Sequence, residues 1–231
     1  MSHRFQLIVF DYDGTLVDSQ HMILRAMQEG FAAEGLDGPP VEAVRRVVGL
    51  NLDLAIATLL PESEDRALVA RVAEGYRQAF LALRTAPDYH EPLFPGAREV
   101  LARLERDGVR LGIATGKARR GLLASLESHG LAHHFVTLQT ADVAAGKPYP
   151  EMLERAMSEA GAGPEETVMI GDTCFDMLMA GNAGTTGVGV AWGYHAPEEL
   201  RQSGAAAIVE AFTDLPPTLA ALSAPMAKPP S

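Results

Sequence analysis

The first apolar run, Leu7 to Phe10, shows no alternation with polar residues, which predicts a short strand buried on both faces. From Ser19 the period changes. Met22, Ile23, Ala26, Met27, Gly30 and Phe31 recur at spacings of three and four, the stripe of an amphipathic helix. GLDGPP breaks that pattern, and helices are predicted again over 41–48, 52–60 and 67–83, parted by VGLN and LPESE. No strand pattern interrupts residues 18–87. After the proline-rich linker TAPDYHEPLFPG the chain alternates. A helix over 97–107, the strand VRLGIAT, a helix over 119–129, the strand HFVTLQT and a helix over 150–160 follow in turn. The strand TVMIGD, a helix over 175–183, the strand TGVGVAW, a short helix over 197–202 and the strand AAAIVE complete the series.

Apolar strands alternating with helices predict a doubly wound α/β fold, a parallel Rossmann-like sheet with helices on both faces. The expected organisation is a core of residues 1–17 and 88–222, interrupted after its first strand by an all-helical cap, 18–87. The segment 223–231, SAPMAKPPS, reads as a disordered tail.

Composition narrows the function classes. The formal net charge of −11 disfavours nucleic acid, whose phosphates call for a basic surface. No apolar run approaches the roughly 18–20 residues that cross a bilayer, and MSHRFQLIVF lacks the features of a secretory signal. The lone Cys174 rules out an intramolecular disulfide and a cysteine-based zinc cluster. The expectation is a cytoplasmic protein, a monomer or homodimer, with no nucleic-acid or membrane partner.

Ligands of open α/β sheets sit at the carboxyl ends of the strands, and the polar residues that follow the predicted strands are of one kind. LIVFDYDGT places Asp11 and Asp13 after the first strand. VRLGIATGK ends in Thr115, Gly116 and Lys117. The loop after HFVTLQT holds Lys147, and TVMIGDTCFD supplies Asp172 and Asp176. One sheet edge would gather these residues across about 160 positions of chain. Four acids cannot all stay charged beside one lysine without a cation. Mg²⁺ suits carboxylates completed by water and a substrate phosphate, whereas zinc would ask for histidine or cysteine. Lys147, the Thr115 hydroxyl and the backbone N–H groups of the Asp13–Gly14 and Thr115–Gly116 turns would make an anion pocket beside the metal.

DYDGT, ATGK, GKPYP and GDTCFD, in that order, resemble the haloacid dehalogenase superfamily, and the helical insert resembles its type-1 cap subclass. Within it the chain looks most like phosphoglycolate phosphatase-like hydrolases. The resemblance implies a phosphatase acting on a small phosphorylated metabolite. Asp11 would be the nucleophile that forms an aspartyl-phosphate, and Asp13 the general acid and then base. The Asp11 carboxylate, the Asp13 backbone carbonyl and Asp172 would ligate Mg²⁺, with Asp176 joining the ligand set or holding metal-bound water. Thr115 and Lys147 would grip the phosphoryl oxygens. A β-phosphoglucomutase-like phosphotransferase and a pyrophosphatase are the alternatives within the family, and a non-catalytic binding module the alternative outside it. A haloacid dehalogenase and a phosphonatase are disfavoured, because each usually lacks an acid at the position of Asp13.

Other residues carry two readings. Arg45, Arg46 and the turn Gly49-Leu50-Asn51 are the candidates for substrate contact from the insert, with Arg45 and Arg46 equally readable as an exposed helix face. Lys117, Arg119 and Arg120 read first as a solvated helix start and second as substrate contacts. Asp18 or Ser19 would cap the first insert helix. Cys174 reads as a small packing residue, and His133 and His134 as helix-end surface.

Overall fold

A computed structural model describes residues 5–60, 65–86, 89 and 91–223. Six parallel strands form one sheet in the order β3-β2-β1-β4-β5-β6. They are β1 (Leu7–Phe10), β2 (Arg110–Thr115), β3 (Phe135–Thr140), β4 (Thr167–Gly171), β5 (Thr186–Val190) and β6 (Ala207–Val209). Between β1 and β2 run α1 (Gln20–Ala33), α2 (Val41–Val47), α3 (Leu52–Leu59), α4 (Arg66–Arg84) and α5 (Ala97–Arg106). The later helices are α6 (Arg119–Ser128), α7 (Glu151–Ala160), α8 (Cys174–Asn182), α9 (Pro197–Gln202) and α10 (Leu215–Ser223).

The sheet is buried on both faces, as its unbroken apolar strands require. In β1 successive side chains point to opposite faces. Ile8 and Phe10 join the core under α5, α6 and α10, through Val100, Leu101, Leu122 and Leu219. Leu7 and Val9 join the core under α7 and α8, through Met152, Leu153, Ala156 and Met179. Helices α1 to α4 bury a cluster of their own, including Ile23, Met27, Phe31, Val44, Ile56 and Val72, which Tyr194 from the loop after β5 joins. The apolar stripe read from the sequence of α1 is the face that turns inward, since Met22, Ile23, Ala26, Met27, Gly30 and Phe31 are its buried residues.

One feature differs from the sequence reading, and of the two capping candidates for α1 Ser19 takes the position. Ser223 closes α10, so the segment read as a tail begins inside a helix; residues 224–231 lie outside the described residues. Pro216 and Pro217 stand in the first turn of that helix. Proline is tolerated in a first turn, whose N–H groups have no intrahelical partner, and Leu215 and Leu219 then reach the core. The N-cap of α1 is Ser19, without a side-chain capping bond, while Asp18 accepts a long 3.4 Å bond from the Gln20 N–H.

The strand order places β1 between β2 and β4. The chain winds outward in both directions from that point, which is where a crevice opens above the carboxyl ends of the strands.

Candidate active site

Asp11 leaves β1 and Asp172 leaves β4, its immediate neighbour in the sheet, while Asp176 stands in the first turn of α8. All three are buried, and one oxygen of each lies within 4.8 Å of the others. Lys147 reaches into this group from the loop after β3. Its Nζ is 2.7 Å from Asp11 Oδ2 and 2.6 Å from Asp176 Oδ1, with a side chain fully shielded from solvent. The four converge because β1 and β4 pair in register, Phe10 beside Ile170, so that both chains exit at one level.

Each acid is held by hydrogen bonds. The Thr15 hydroxyl donates to Asp172 Oδ1 at 2.7 Å and the Tyr194 N–H to Asp172 Oδ2 at 2.9 Å. Thr173 donates to Asp176 Oδ2 from its N–H at 3.0 Å and from its hydroxyl at 2.7 Å. The Tyr12 N–H donates to Asp11 Oδ1 at 2.6 Å. These bonds orient the carboxylates but do not balance their charge. Burial raises the Asp11 carboxyl to about 7, with Lys147 pulling it down and Asp176 pushing it up. Burial, then Asp11 and Asp176, push the Asp172 carboxyl well above the usual carboxylate range.

Three buried carboxylates against one ammonium leave negative charge uncompensated. Each oxygen keeps lone pairs beyond those its donors use. A hard, oxygen-loving cation fits both the donor set and the deficit.

Asp13 points elsewhere. Lys117 Nζ donates to Asp13 Oδ1 at 2.9 Å and Oδ2 at 3.2 Å, and to Glu91 Oε1 at 3.4 Å. Lys117 is thus a buried ion-pair partner at the site rather than part of a solvated helix start, whereas Arg119 and Arg120 are exposed. Thr115 is buried at the end of β2, and its hydroxyl accepts the Lys117 N–H at 3.2 Å.

Two glycines let the backbone close in. Gly14 has φ +83°, and a Cβ there would collide with Asp172 Oδ2 and the Tyr194 ring. A Cβ on Gly116 would lie 2.6 Å from the Leu50 carbonyl oxygen, so the turn Gly49-Leu50-Asn51 rests directly on the strand end. Asn51 caps α3, accepting the Leu54 N–H at 2.9 Å, and packs beside Gly146.

A cavity of about 810 Å³ lies between the strand ends and α1 to α4. Asp11, Asp13, Thr115, Gly116, Lys117 and Asn51 line it, with apolar walls from Met27, Val48, Tyr76 and Phe80. Arg45 is placed away from it. Its guanidinium donates to Gln20 Oε1 at 2.6 Å and to the Gly193 and Tyr194 carbonyls, both at 3.2 Å, tying α2 to the loop after β5. Arg46 pairs with Glu199 on the surface. Cys174 opens α8, where its N–H donates to His195 Nδ1. His134 pairs with Glu105, remote from the acids.

Sequence reasoning missed Thr15, Thr173, Tyr194 and Glu91. A hydroxyl at Thr173 three residues before Asp176 is the one local signal, a capping box. The others meet their partners only through the fold.

The comparisons with known proteins agree with this arrangement. Residues 8–190 match the family described as haloacid dehalogenase-like hydrolase. A Dickeya dadantii protein named Probable phosphatase IndB is 36% identical over 90% of this chain and 91% of its own length. A phosphoglycolate phosphatase of Caulobacter vibrioides is 35% identical over 90% of this chain and 88% of its own. The crystal structure of a hydrolase from Pseudomonas syringae superposes with a TM-score of 0.84 at 29% identity, covering 95% of this chain and all of that one. Among the described residues no helix is long and apolar enough to cross a membrane. With four acids and two lysines brought to one sheet edge, and with similarity along most of its length, the chain belongs to the haloacid dehalogenase-like hydrolases, among their phosphatases.

Proposed function

We propose that the protein hydrolyses a small phosphomonoester in a Mg²⁺-dependent reaction that passes through an aspartyl-phosphate on Asp11. The observation that carries this reading is the buried cluster of Asp11, Asp172 and Asp176 around Lys147, whose negative charge exceeds what one ammonium answers. Asp11, Asp172, Asp176 and the backbone carbonyl of Asp13 would hold the ion. Bound Mg²⁺ would draw charge from the phosphoryl oxygens as the reaction proceeds.

The chain's own groups do the rest. An Asp11 oxygen attacks phosphorus and the bond to the ester oxygen breaks. Asp13 gives its proton to the departing alkoxide, which leaves as the alcohol. Water then attacks the phosphorus of the aspartyl-phosphate, Asp13 takes the proton, and inorganic phosphate and the Asp11 carboxylate are regenerated. Lys147 neutralises Asp11 and grips a phosphoryl oxygen with Thr115, while the N–H group of Gly116 completes the anion pocket; the Gly14 N–H, expected to join it, donates instead to the Val17 carbonyl at 2.9 Å. The segment 18–87 acts as a cap over the strand ends, excluding water and selecting the leaving group. Asn51, on the turn that rests against Gly116, packs its side chain beside Gly146 and lines the cavity. Phosphoglycolate is the favoured substrate, on the name of the Caulobacter relative. A phosphomutase is less supported, since a second phosphate would meet Leu50 and a capping Asn51 at this turn instead of a basic side chain.

The test is release of p-nitrophenol from p-nitrophenyl phosphate with and without Mg²⁺, in wild type and Asp11→Asn. Turnover should need the ion and vanish in the variant. Turnover that survives in Asp11→Asn, or its complete absence in wild type with Mg²⁺, overturns the proposal. A screen of phosphoglycolate, sugar phosphates and pyrophosphate then identifies the leaving group.

A further inference from the structure

Glu91 stands in the proline-rich linker before α5, yet its side chain is only 1% exposed. No step of the reaction proposed above touches it. Burying a carboxylate is costly unless it is paired and hydrogen-bonded, and Glu91 is both. Its Oε2 accepts from the Ser125 hydroxyl at 2.5 Å and the Tyr89 hydroxyl at 2.8 Å, and its Oε1 from Lys117 Nζ at 3.4 Å. Tyr12, the residue between the two active-site aspartates, donates its hydroxyl to Ser125 Oγ at 2.8 Å. A continuous path therefore runs from Tyr12 through Ser125 and Glu91 to Lys117, and from Lys117 to Asp13.

The ammonium at the middle of this path is enclosed. Asp13 lies on one side and Glu91 on the other. The Phe80 ring is 4.9 Å away and the Tyr12 ring 5.7 Å. A lysine side chain alone is a flexible stem with a mobile head. Here a second carboxylate and two aromatic rings deprive it of that freedom, so that its protons stay directed at Asp13. A charged partner holds a donor more firmly than a neutral one does.

We propose that Glu91 is a positioning residue for proton transfer: it holds Lys117 from behind, and Lys117 in turn fixes the carboxyl group of Asp13 where it meets the leaving-group oxygen. The inference rests on the role of Asp13 as general acid in the reaction proposed above. It assigns to Lys117 a task on the enzyme's own carboxylate rather than on the substrate.

The test compares leaving groups. An alkyl phosphate needs a proton on its departing oxygen, whereas p-nitrophenolate departs without one. The ratio kcat/KM reports the first irreversible step, formation of the aspartyl-phosphate. Glu91→Gln keeps the shape and can keep the hydroxyl contacts, but it removes the charge. It should lower kcat/KM about 10- to 100-fold for phosphoglycolate or glycerol phosphate, and less than about 3-fold for p-nitrophenyl phosphate. Lys117→Met should show the same split, and Ser125→Ala, which retains the Glu91 charge, should stay close to wild type in the ratio of the two substrates. Equal losses on both substrates in Glu91→Gln and Lys117→Met would mean a purely structural role and overturn the proposal, as would no loss at all. Should Glu91→Gln fail to fold, Lys117→Met alone decides by the same split. A wild type that hydrolyses neither ester with Mg²⁺ overturns the reaction itself and this role with it; an active wild type with unsplit variants overturns the role alone.

Discussion

Lys147, fully buried, and Lys117, largely buried at the cavity wall, are each within reach of two carboxylates at the same edge of the same sheet. Their surroundings differ in one respect. Around Lys147 a third acid, Asp172, joins Asp11 and Asp176, and the carboxyls of Asp11 and Asp172 are driven upward by burial and by their acidic neighbours. Around Lys117 burial of Glu91 is outweighed by Lys117, Ser125 and Tyr89, which hold its carboxyl below the usual range. Two hydroxyl donors and two ring faces complete that shell. The first cluster has a deficit that an external cation can fill, and the second is closed by the protein's own groups. What marks a metal site is thus the excess of buried carboxylates over the ammonium charge beside them, since both clusters supply hydrogen-bond donors to their acids.

The largest effects should come from removing each ammonium. Lys147→Met should lower p-nitrophenyl phosphate turnover by at least about 10²–10³-fold. It should also cost about 3–5 kcal/mol of stability in urea titration, because it strands two buried carboxylates. Lys117→Met should leave turnover of that same ester nearly intact; an equal collapse would show that the clusters do not have separate tasks.

Metal removal should give the next effect. Mg²⁺ at 100 times its dissociation constant should stabilise the protein by about 2.7 kcal/mol, seen as a rise in Tm that a chelator reverses. The rise should disappear in Asp172→Asn and persist in Glu91→Gln. Persistence in both would detach the ion from the Lys147 cluster.

Smaller still is the stability cost of opening the closed cluster. Glu91→Gln should lose about 1–3 kcal/mol, the range for weakening hydrogen bonds to a buried charged group, read from the urea midpoint at constant slope. A gain in stability would mean that Glu91 is retained at an energetic cost, which would sharpen its assignment to function.

The smallest effect lies outside both clusters. Asp142 accepts the Arg119 N–H at 3.1 Å and the Thr140 hydroxyl at 2.6 Å. Burial pushes its carboxyl up, but these bonds, with the nearby Arg119 charge, together outweigh it and hold the carboxyl below the usual range. A depressed carboxyl stabilises the fold above its unfolded pKa of about 3.9, and the contribution is lost as pH falls through the folded value. Asp142→Asn should therefore flatten the acid limb of a Tm–pH profile without altering the Mg²⁺ shift. An unchanged acid limb would show that these exposed hydrogen bonds contribute nothing.

The alternation of strands and helices was legible because short unbroken apolar runs mark strands buried on both faces, whereas a 3.6-residue period marks helices. The stripe of α1 is an instance, read from the sequence and buried in the fold. Asp11, Asp172 and Thr115 were legible as edge residues because each stands at or just beyond the end of an apolar strand. Helix α10 was not, since its prolines obscure a first turn that tolerates them. Nor was Glu91, which in sequence is one more acid in a linker beside prolines. Thr15 and Asp172 meet across 157 positions of chain, and Lys117 and Asp13 across 104, so no local pattern announces either pair.

By itself the sequence determined the order of the elements and which carboxylates emerge at the strand ends, because hydrophobic period and turn residues act within a few positions of one another. The tertiary structure decided which lysine each acid would meet. Asp11 and Asp176 share Lys147, while Asp13, two residues from Asp11, turns to Lys117 and through it to Glu91. The physical reason is that ion pairing depends on distance through space and on burial. Both are set by strand order and by how the loops after β2 and β3 fold over the sheet edge.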